Sequence, residues 1–488
     1  MVRQFLKDSS VFSASRYLIL GLGFIRNLVI AKFLSPADYG SWVIITLILT
    51  YGDQIHLGLR HVGDKEIPYR RGRGEETTVF TNIIYGGVIF FSLSVFLLLT
   101  ILAVIGSWMD AALRTGLLIT GFIIVADQVN RFYYMLMRAH HEFVFASKVE
   151  SLFELLRTLL VAVGVIVFKF QGALAGMAIG SLLLTLYLNR QYRGTYWPHF
   201  HRQHLITLLR LSLPLFVNGL LFILLSSLDR LVAATTLSPH ELGLYGLVAL
   251  LVAIPFNATQ AVGFVIYPRL SEQFGRHGKV QELERFFSHI LRLTVHLVPP
   301  IVAGAFLIAP CVITGFLPAY IEAIPAVFVL MPGVYFFAIV QLPTAFLVAA
   351  ENNRWYIAVE ITTILLLILS YFVGLQIERN FITIAAVTAM GFFLYATMLL
   401  VICYRILEHS LGSIVKTIGK VYAPFFFSII VIYILLRFFP YPATSQFRDS
   451  LFWSLRQLAI FVVAYGALFY WFNWRSGYWK RLRAEVTT

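Results

Sequence analysis

The chain is poor in charge and almost without cysteine. Charged residues make up 13% of its 488 positions, and the two cysteines, Cys311 and Cys403, both sit inside apolar stretches. Thiols so placed imply neither a disulfide framework nor a thiolate metal site. No loop between apolar stretches exceeds about twenty residues, too short for a catalytic domain outside a membrane. A phosphate-binding glycine loop, zinc-ligand spacing and a nucleophile elbow are also missing, which removes the usual basis for ATP hydrolysis or acyl chemistry. The pair His140-His141 beside Glu142 comes nearest to a ligand cluster. Adjacent helical residues do not share a face, so a solvated loop accounts for it better than a metal. No cofactor, no metal and no enzymatic centre are expected.

What is present in quantity is apolar surface. Hydrophobic residues are 59% of the chain and the mean hydropathy is +0.81, values that a water-soluble domain of this length does not carry. Breaks at charges, Gly and Pro divide it into about fourteen apolar segments, each near the ~20 residues that cross a bilayer core as a helix. Six lie between Val11 and Leu188, six between Leu208 and Ile406, and two between Ala423 and Phe472. Backbone groups in lipid must be satisfied within the element, and period-2 alternation is absent, so an all-α membrane protein is expected rather than a barrel. The first segment carries Arg16 and Arg26 and lacks a small-residue cleavage site, so it reads as a retained helix and not a signal peptide.

The formal charge of +14 is explained by topology. Lys and Arg fall mostly in alternate loops, including Arg3, Lys7, the run Arg60, Lys65, Arg70, Arg71 and Arg73, then Arg190, Arg193, Arg202, Arg269, Arg276, Lys279 and Arg285. That side is expected to be cytoplasmic, together with both termini. Dispersed cations of this kind do not describe a nucleic-acid domain, and no nucleic acid is expected as partner. The tail, with Trp471, Trp474, Tyr478 and Trp479 among Arg475, Lys480, Arg481 and Arg483, reads as an anchor on anionic membrane lipid.

A repeat organises the segments. Leu34-Ser35-Pro36 with Asp38 and Gly40 returns as Leu237-Ser238-Pro239 with Glu241 and Gly243, each closing an apolar segment. Copies of six spans enter the membrane the same way round, which predicts two six-helix lobes related by a pseudo-two-fold along the membrane normal. The expected division is residues 1–204, 205–408, and a third part, 409–488, of two additional helices and the basic tail. Interior prolines are confined to the later spans: Pro214, Pro255, Pro299, Pro300, Pro310, Pro325, Pro332 and Pro343. The second lobe is therefore expected to be the more bent. Gly172, Gly176 and Gly180, four apart, suit close helix packing.

Several stretches together resemble oligosaccharide flippases of the Wzx type, within the multidrug/oligosaccharidyl-lipid/polysaccharide exporter superfamily. They are Pro214 to Tyr245, with Asp229-Arg230, Leu237-Ser238-Pro239, Gly243 and Tyr245; the amino-terminal Arg26, Ala31, Leu34, Pro36, Tyr39 and Gly40; Tyr267-Pro268-Arg269-Leu270-Ser271; and Glu351 to Arg354. The resemblance implies a fold similar to lipid II flippases and to multidrug and toxin extruders, in a bacterial or archaeal cytoplasmic membrane. It implies transfer of undecaprenyl-pyrophosphate-linked oligosaccharide from the inner to the outer leaflet for surface polysaccharide assembly. A polyprenyl-pyrophosphate-linked glycan is then the main partner, with polysaccharide-assembly proteins as further candidates. A cation-coupled multidrug extruder and a polytopic polysaccharide polymerase or ligase are the alternatives. The short external loops weigh against the second.

Charges inside the spans point to an anionic ligand independently. Each costs about 2.5–3.5 kcal/mol on insertion scales and so needs a partner or a watery cavity. Asp127 and Arg131 stand four apart and are expected to pair, as are Glu150, Glu154 and Arg157 at spacings of four and three. Arg16, Arg26 and Arg292 have no acid on their own helix, and a guanidinium fork suits phosphate oxygens. Snorkelling of Arg16, and pairing of Arg26 with an acid on another helix, are the structural alternatives. Arg16, Arg26, Arg292 and Arg230 are accordingly the candidate substrate-binding residues. Asp229, Asp127, Glu150 and Glu154 are the candidates for coupling or gating, with an Asp229 to Arg26 bridge as one form a gate could take.

Overall fold

The computed structural model describes residues 2–106, 109–192, 196–277, 280–441 and 447–476; side chains at 2–10, 12–13, 215, 258–269, 271–279, 282, 468 and 471–476 are not described. The aromatic and basic tail from Trp471 onward, the motif residues Tyr267, Pro268, Arg269 and Ser271, and the cations Arg3, Lys7, Arg193, Arg276 and Lys279 lie outside these described residues or side chains. Fifteen α-helices and two short 3-10 turns make up the described chain, with no strand among the described residues. Two compact units result, Met1–Gly246 and Leu247–Thr488.

The first unit holds α1 (Val2–Phe33), α2 (Pro36–Gly52), α3 (Leu59–Gly72), α4 (Thr78–Ile105), α5 (Ala111–Ala139), α6 (Phe143–Gln191), α7 (Arg202–Thr236) and the start of α8 (Pro239–His277). The second holds the rest of α8, then α9 (Glu284–Phe316), α10 (Ile324–Ile339), α11 (Gln341–Ala349), α12 (Asn353–Ile377), α13 (Phe381–Ile406), α14 (Leu411–Phe438) and α15 (Phe447–Ser476). Twelve helical stretches are long and apolar enough to cross a membrane. One of them, the 49-residue α6, reverses at Phe168 and Lys169, where Lys169 takes φ +51°, and so supplies two arms. The 17-residue α2 is only just shorter than those twelve. The fourteen apolar segments of the sequence are thereby accounted for.

Glycine positions permit the α6 reversal. A Cβ at Gly164 or Gly172 would meet the other's carbonyl, one at Gly176 would meet the Leu160 and Val161 backbone, and one at Gly180 would meet Arg157. The neighbour that these glycines were expected to approach is thus the first arm of the same helix. Between α4 and α5 the core is aromatic, with Tyr85 stacked on Phe132 at a ring separation of 4.3 Å. Many outward residues, such as Leu97, Val104, Val163 and Phe168, are large, apolar and exposed. That inversion of the soluble pattern is what a surface facing lipid needs.

One expectation is corrected here. The run Arg60 to Arg73, read as a loop, is the helix α3. Gly58 at φ +82° turns the chain into it, and its Cβ-free Cα lies against the Ser212 carbonyl. Leu59, Val62 and Ile67 bury one side while Lys65, Arg71 and Arg73 stay exposed, an amphipathic division that high charge had concealed. In the second unit α9 remains continuous through Pro299, Pro300 and Pro310, whereas the helix breaks at Val340, between α10 and α11, just before Pro343. Both α14 and α15 pack against α9.

Candidate functional site

The first unit contains a chain of paired charges built from α1, α5 and α6. Residues 150, 154 and 157 share one face of α6 by helical periodicity, and ten residues of α1 separate Arg16 from Arg26 by about 15 Å. Arg16 Nη1 meets Glu150 Oε1 at 3.1 Å. Deeper in the unit, Arg26 Nη1 donates to Glu154 Oε1, and the same carboxylate accepts from Arg157 through Oε2, with Nε at 3.0 Å. Arg157 Nη1 reaches Asp127 Oδ2 at 3.5 Å, and Ser181 Oγ donates to Asp127 Oδ1 at 2.7 Å. Asn130 extends the network, donating to the Ser181 carbonyl at 3.1 Å and accepting from Thr185 Oγ1 at 2.9 Å.

Charge balances along this chain, since three arginines face three carboxylates. Access does not: the Arg16 side chain is 44% exposed and its partner Glu150 21%, against 13% for Arg26 and 6% for Glu154. Arg26 Nε has no hydrogen-bond partner among the described residues. The chain therefore has a wet end at Arg16 and a dry end at Arg26 and Glu154.

Two expected pairs are corrected. Asp127 does not bind Arg131. It faces α6 and Arg157, while Arg131 turns to the end of α2 and meets Asp53 Oδ1 at 3.0 Å. Helical spacing makes the local pair possible, but each partner finds an opposite charge on a different neighbouring helix. The Asp229 to Arg26 bridge is likewise not formed, because Glu154 takes Arg26. Asp229 Oδ2 instead accepts from Tyr245 at 2.7 Å, and its Oδ1 lies 3.6 Å from Nε of the adjacent Arg230. A long arginine side chain reaches back across the angular gap that separates neighbouring helix positions, and Arg230 also donates to the Ser226 carbonyl at 2.7 Å. Arg292, on α9 of the second unit, is exposed and joins no ion pair among the described residues; His296 Nδ1 contacts its carbonyl at 2.7 Å.

A cluster just outside the spans was not anticipated. Arg60, read from sequence as a solvated loop cation, is 9% exposed and donates to both the Asp53 carbonyl, at 2.8 Å, and its carboxylate, at 2.7 Å. Burial raises the Asp53 pKa, but Arg131 and Arg60 outweigh it and hold the group below the usual carboxylate range. His56, buried beside them, is pushed down to about 2 by desolvation and by Arg60. It is neutral, and its Nδ1 accepts from the Gly58 amide at 3.0 Å. The usable sign in the sequence was Asp53 itself, an acid directly after an apolar segment and seven residues before an Arg.

The two copies of the repeat motif meet inside the first unit. Ser35 caps α2, bonding Asp38 through both its amide and its carboxylate, and Ser238 caps α8 through Glu241 in the same way. A Cβ at Gly40 would collide with the Pro239 carbonyl, and one at Gly243 with the Pro36 carbonyl. The contact is reciprocal, each glycine receiving the other turn's proline. Two residues further, Trp42 and Tyr245 occupy equivalent places, both fully buried, and each donates back to the preceding helix, to Asn27 at 3.2 Å and Asp229 at 2.7 Å.

Comparison with known proteins gives this geometry a family. A membrane protein from the cps region of Klebsiella pneumoniae, itself uncharacterized, is 25% identical over 277 residues, a match spanning 55% of this chain and 55% of that relative. The lipid II flippase MurJ in an inward closed conformation superposes with a TM-score of 0.68 at 14% identity, covering 94% of this chain and 99% of its own. An inward-facing multidrug transporter of the MATE family gives 0.67 at 12%, covering 82% and 95%. These structures establish the fold. The family described as polysaccharide biosynthesis protein matches residues 29–323, more than half of the chain, and the protein belongs to that family.

Proposed function

We propose that the protein moves polyprenyl-pyrophosphate-linked oligosaccharide from the inner to the outer leaflet by alternating access, its lobes being the repeats 1–204 and 205–408. The observation that carries this reading is the graded charge chain of the first unit. Arg16, at the wet end, can exchange Glu150 for phosphate oxygens at small cost, because both side chains are already partly hydrated. Arg26, with Nε unmet and Glu154 shared with Arg157, is the next cation an anion would encounter. Each guanidinium offers a planar fork that fits a pyrophosphate. Arg230 and Arg292 supply cations from the second repeat, and the polyprenyl tail stays in lipid. Glu150, Glu154 and Asp229 hold Arg16, Arg26 and Arg230, with Asp127 holding Arg157 beside them, and thereby set the threshold for substrate entry. An inside-negative potential assists, adding about 2.3 kcal/mol for each negative charge moved outward across 100 mV. The family assignment and the relative from a cps region support a glycan as cargo.

Deletion of the gene should cause polyprenyl-linked glycans to accumulate, which mass spectrometry of lipid extracts reads directly. In complementation, Arg16→Ala and Arg292→Ala should abolish export with protein abundance unchanged. Normal export by both variants removes these residues from the mechanism.

A further inference from the structure

The second unit contains a carboxyl group unlike those of the first. Glu360 lies within α12 and is completely buried, at 0% exposure. Its Oε1 accepts from the Tyr395 hydroxyl on α13 at 3.4 Å, and its Oε2 has no hydrogen-bond partner among the described residues. The titratable groups around it are two phenols, Tyr356 one turn earlier on α12 and Tyr395 on α13. The helix α11, which also packs on α12, contains no titratable residue. No cation among the described residues lies near it, whereas Glu150, Glu154 and Asp127 each hold an arginine.

An ionised carboxylate enclosed without a counter-charge costs several kcal/mol, more than hydrogen bonds from neutral phenols return. The neutral acid avoids that cost. It needs one proton, and Oε2 is the oxygen available to carry it, because the phenol already donates to Oε1. One carboxyl group and two phenols do not amount to a metal site, which takes six or more oxygen ligands for the common hard cations.

We propose that Glu360 is a proton-binding site, filled while α12 and α13 close over it and emptied when they part. On opening, water reaches the carboxyl, the Oε2–H bond breaks, the proton passes to water and a hydrated carboxylate remains; closure reverses each step. The site couples the translocation proposed above to proton movement, and only this second statement rests on that function. Proton entry and export of an anionic lipid transfer charge in the same electrical sense, so one membrane potential drives both.

Infrared difference spectra of the purified full-length protein in nanodiscs test the site without any glycolipid. A protonated-carboxyl carbonyl band should be present, shift in heavy water and be absent in Glu360→Gln. Tyr395→Phe, which keeps the carboxyl, should displace the band without abolishing it, and so separates a lost site from a lost fold. Identical bands in wild type and Glu360→Gln overturn the proposal, as does a band that sodium abolishes at constant pH. In vesicles, a gradient of one pH unit should change the steady-state transbilayer ratio of glycolipid by up to about tenfold per coupled proton for wild type, and not for Glu360→Gln. Equal responses of both proteins refute coupling through Glu360. If neither moves glycolipid at all, the proposed substrate is wrong while the infrared result still decides the proton site.

Discussion

At Glu154 one carboxylate serves two guanidiniums, Arg26 from α1 and Arg157 from its own helix, and this asymmetry yields a ranking. Glu154→Gln leaves both cations with only Asp127 between them, and removing one partner of a buried pair costs about 3–5 kcal/mol. Arg26→Met leaves Glu154 with Arg157 and should cost clearly less. Denaturation in detergent measures both, and a larger loss for Arg26→Met would contradict the described pairing. One pair on a single helix was legible in the sequence: Glu154 with Arg157 followed from spacing alone. Pairs between helices were not, because nothing in the sequence says which helix stands beside α1 or α5. Spacing alone accordingly suggests Arg131 for Asp127 and names no partner for Arg26. Glu360 is inconspicuous in the sequence for a related reason. Its surroundings are tyrosines, which carry no formal charge to draw attention.

Elements were easier to read than contacts. Apolar length marked every span, including both arms of α6, because the bilayer sets one length for all of them. It missed α3, whose short apolar face is interleaved with arginines. The motif ending in Gly40 and Gly243 was legible as a repeat, but that its copies touch was not. Their contact makes a prediction at this scale. Gly40→Ala or Gly243→Ala forces a methyl group into a proline carbonyl on the facing turn, and overpacking of this kind costs about 1–3 kcal/mol. The first substitution already pushes the turns apart, so the double variant should lose less than the sum of the two single losses. Strict additivity in thermal or chemical denaturation would show that the two glycines belong to separate contacts.

At the scale of the whole molecule the basic residues set the orientation to be tested. The turns at Ser35 to Asp38 and Ser238 to Glu241 are expected outside, and both termini and α3 inside. His240 and Arg71 are exposed positions on the two sides, and native Cys311 and Cys403 are buried, so background labelling should be low. In intact cells His240→Cys should react with an impermeant maleimide and Arg71→Cys should not. The opposite pattern reverses the orientation. The reciprocal meeting of the motif turns has one more consequence. An isologous contact is what two identical subunits make across a two-fold axis, and in such a dimer any substitution enters both sides at once. Carried within a single chain, the same interface is released from that constraint. Asp38 stands where the other copy has Glu241, Tyr39 where it has Leu242 and Trp42 where it has Tyr245, so each half can be altered without copying the change into the other. A heritable symmetry becomes a negotiable one, and the cargo proposed above, with two unlike ends, sugar and lipid, is of the kind that profits from halves free to differ.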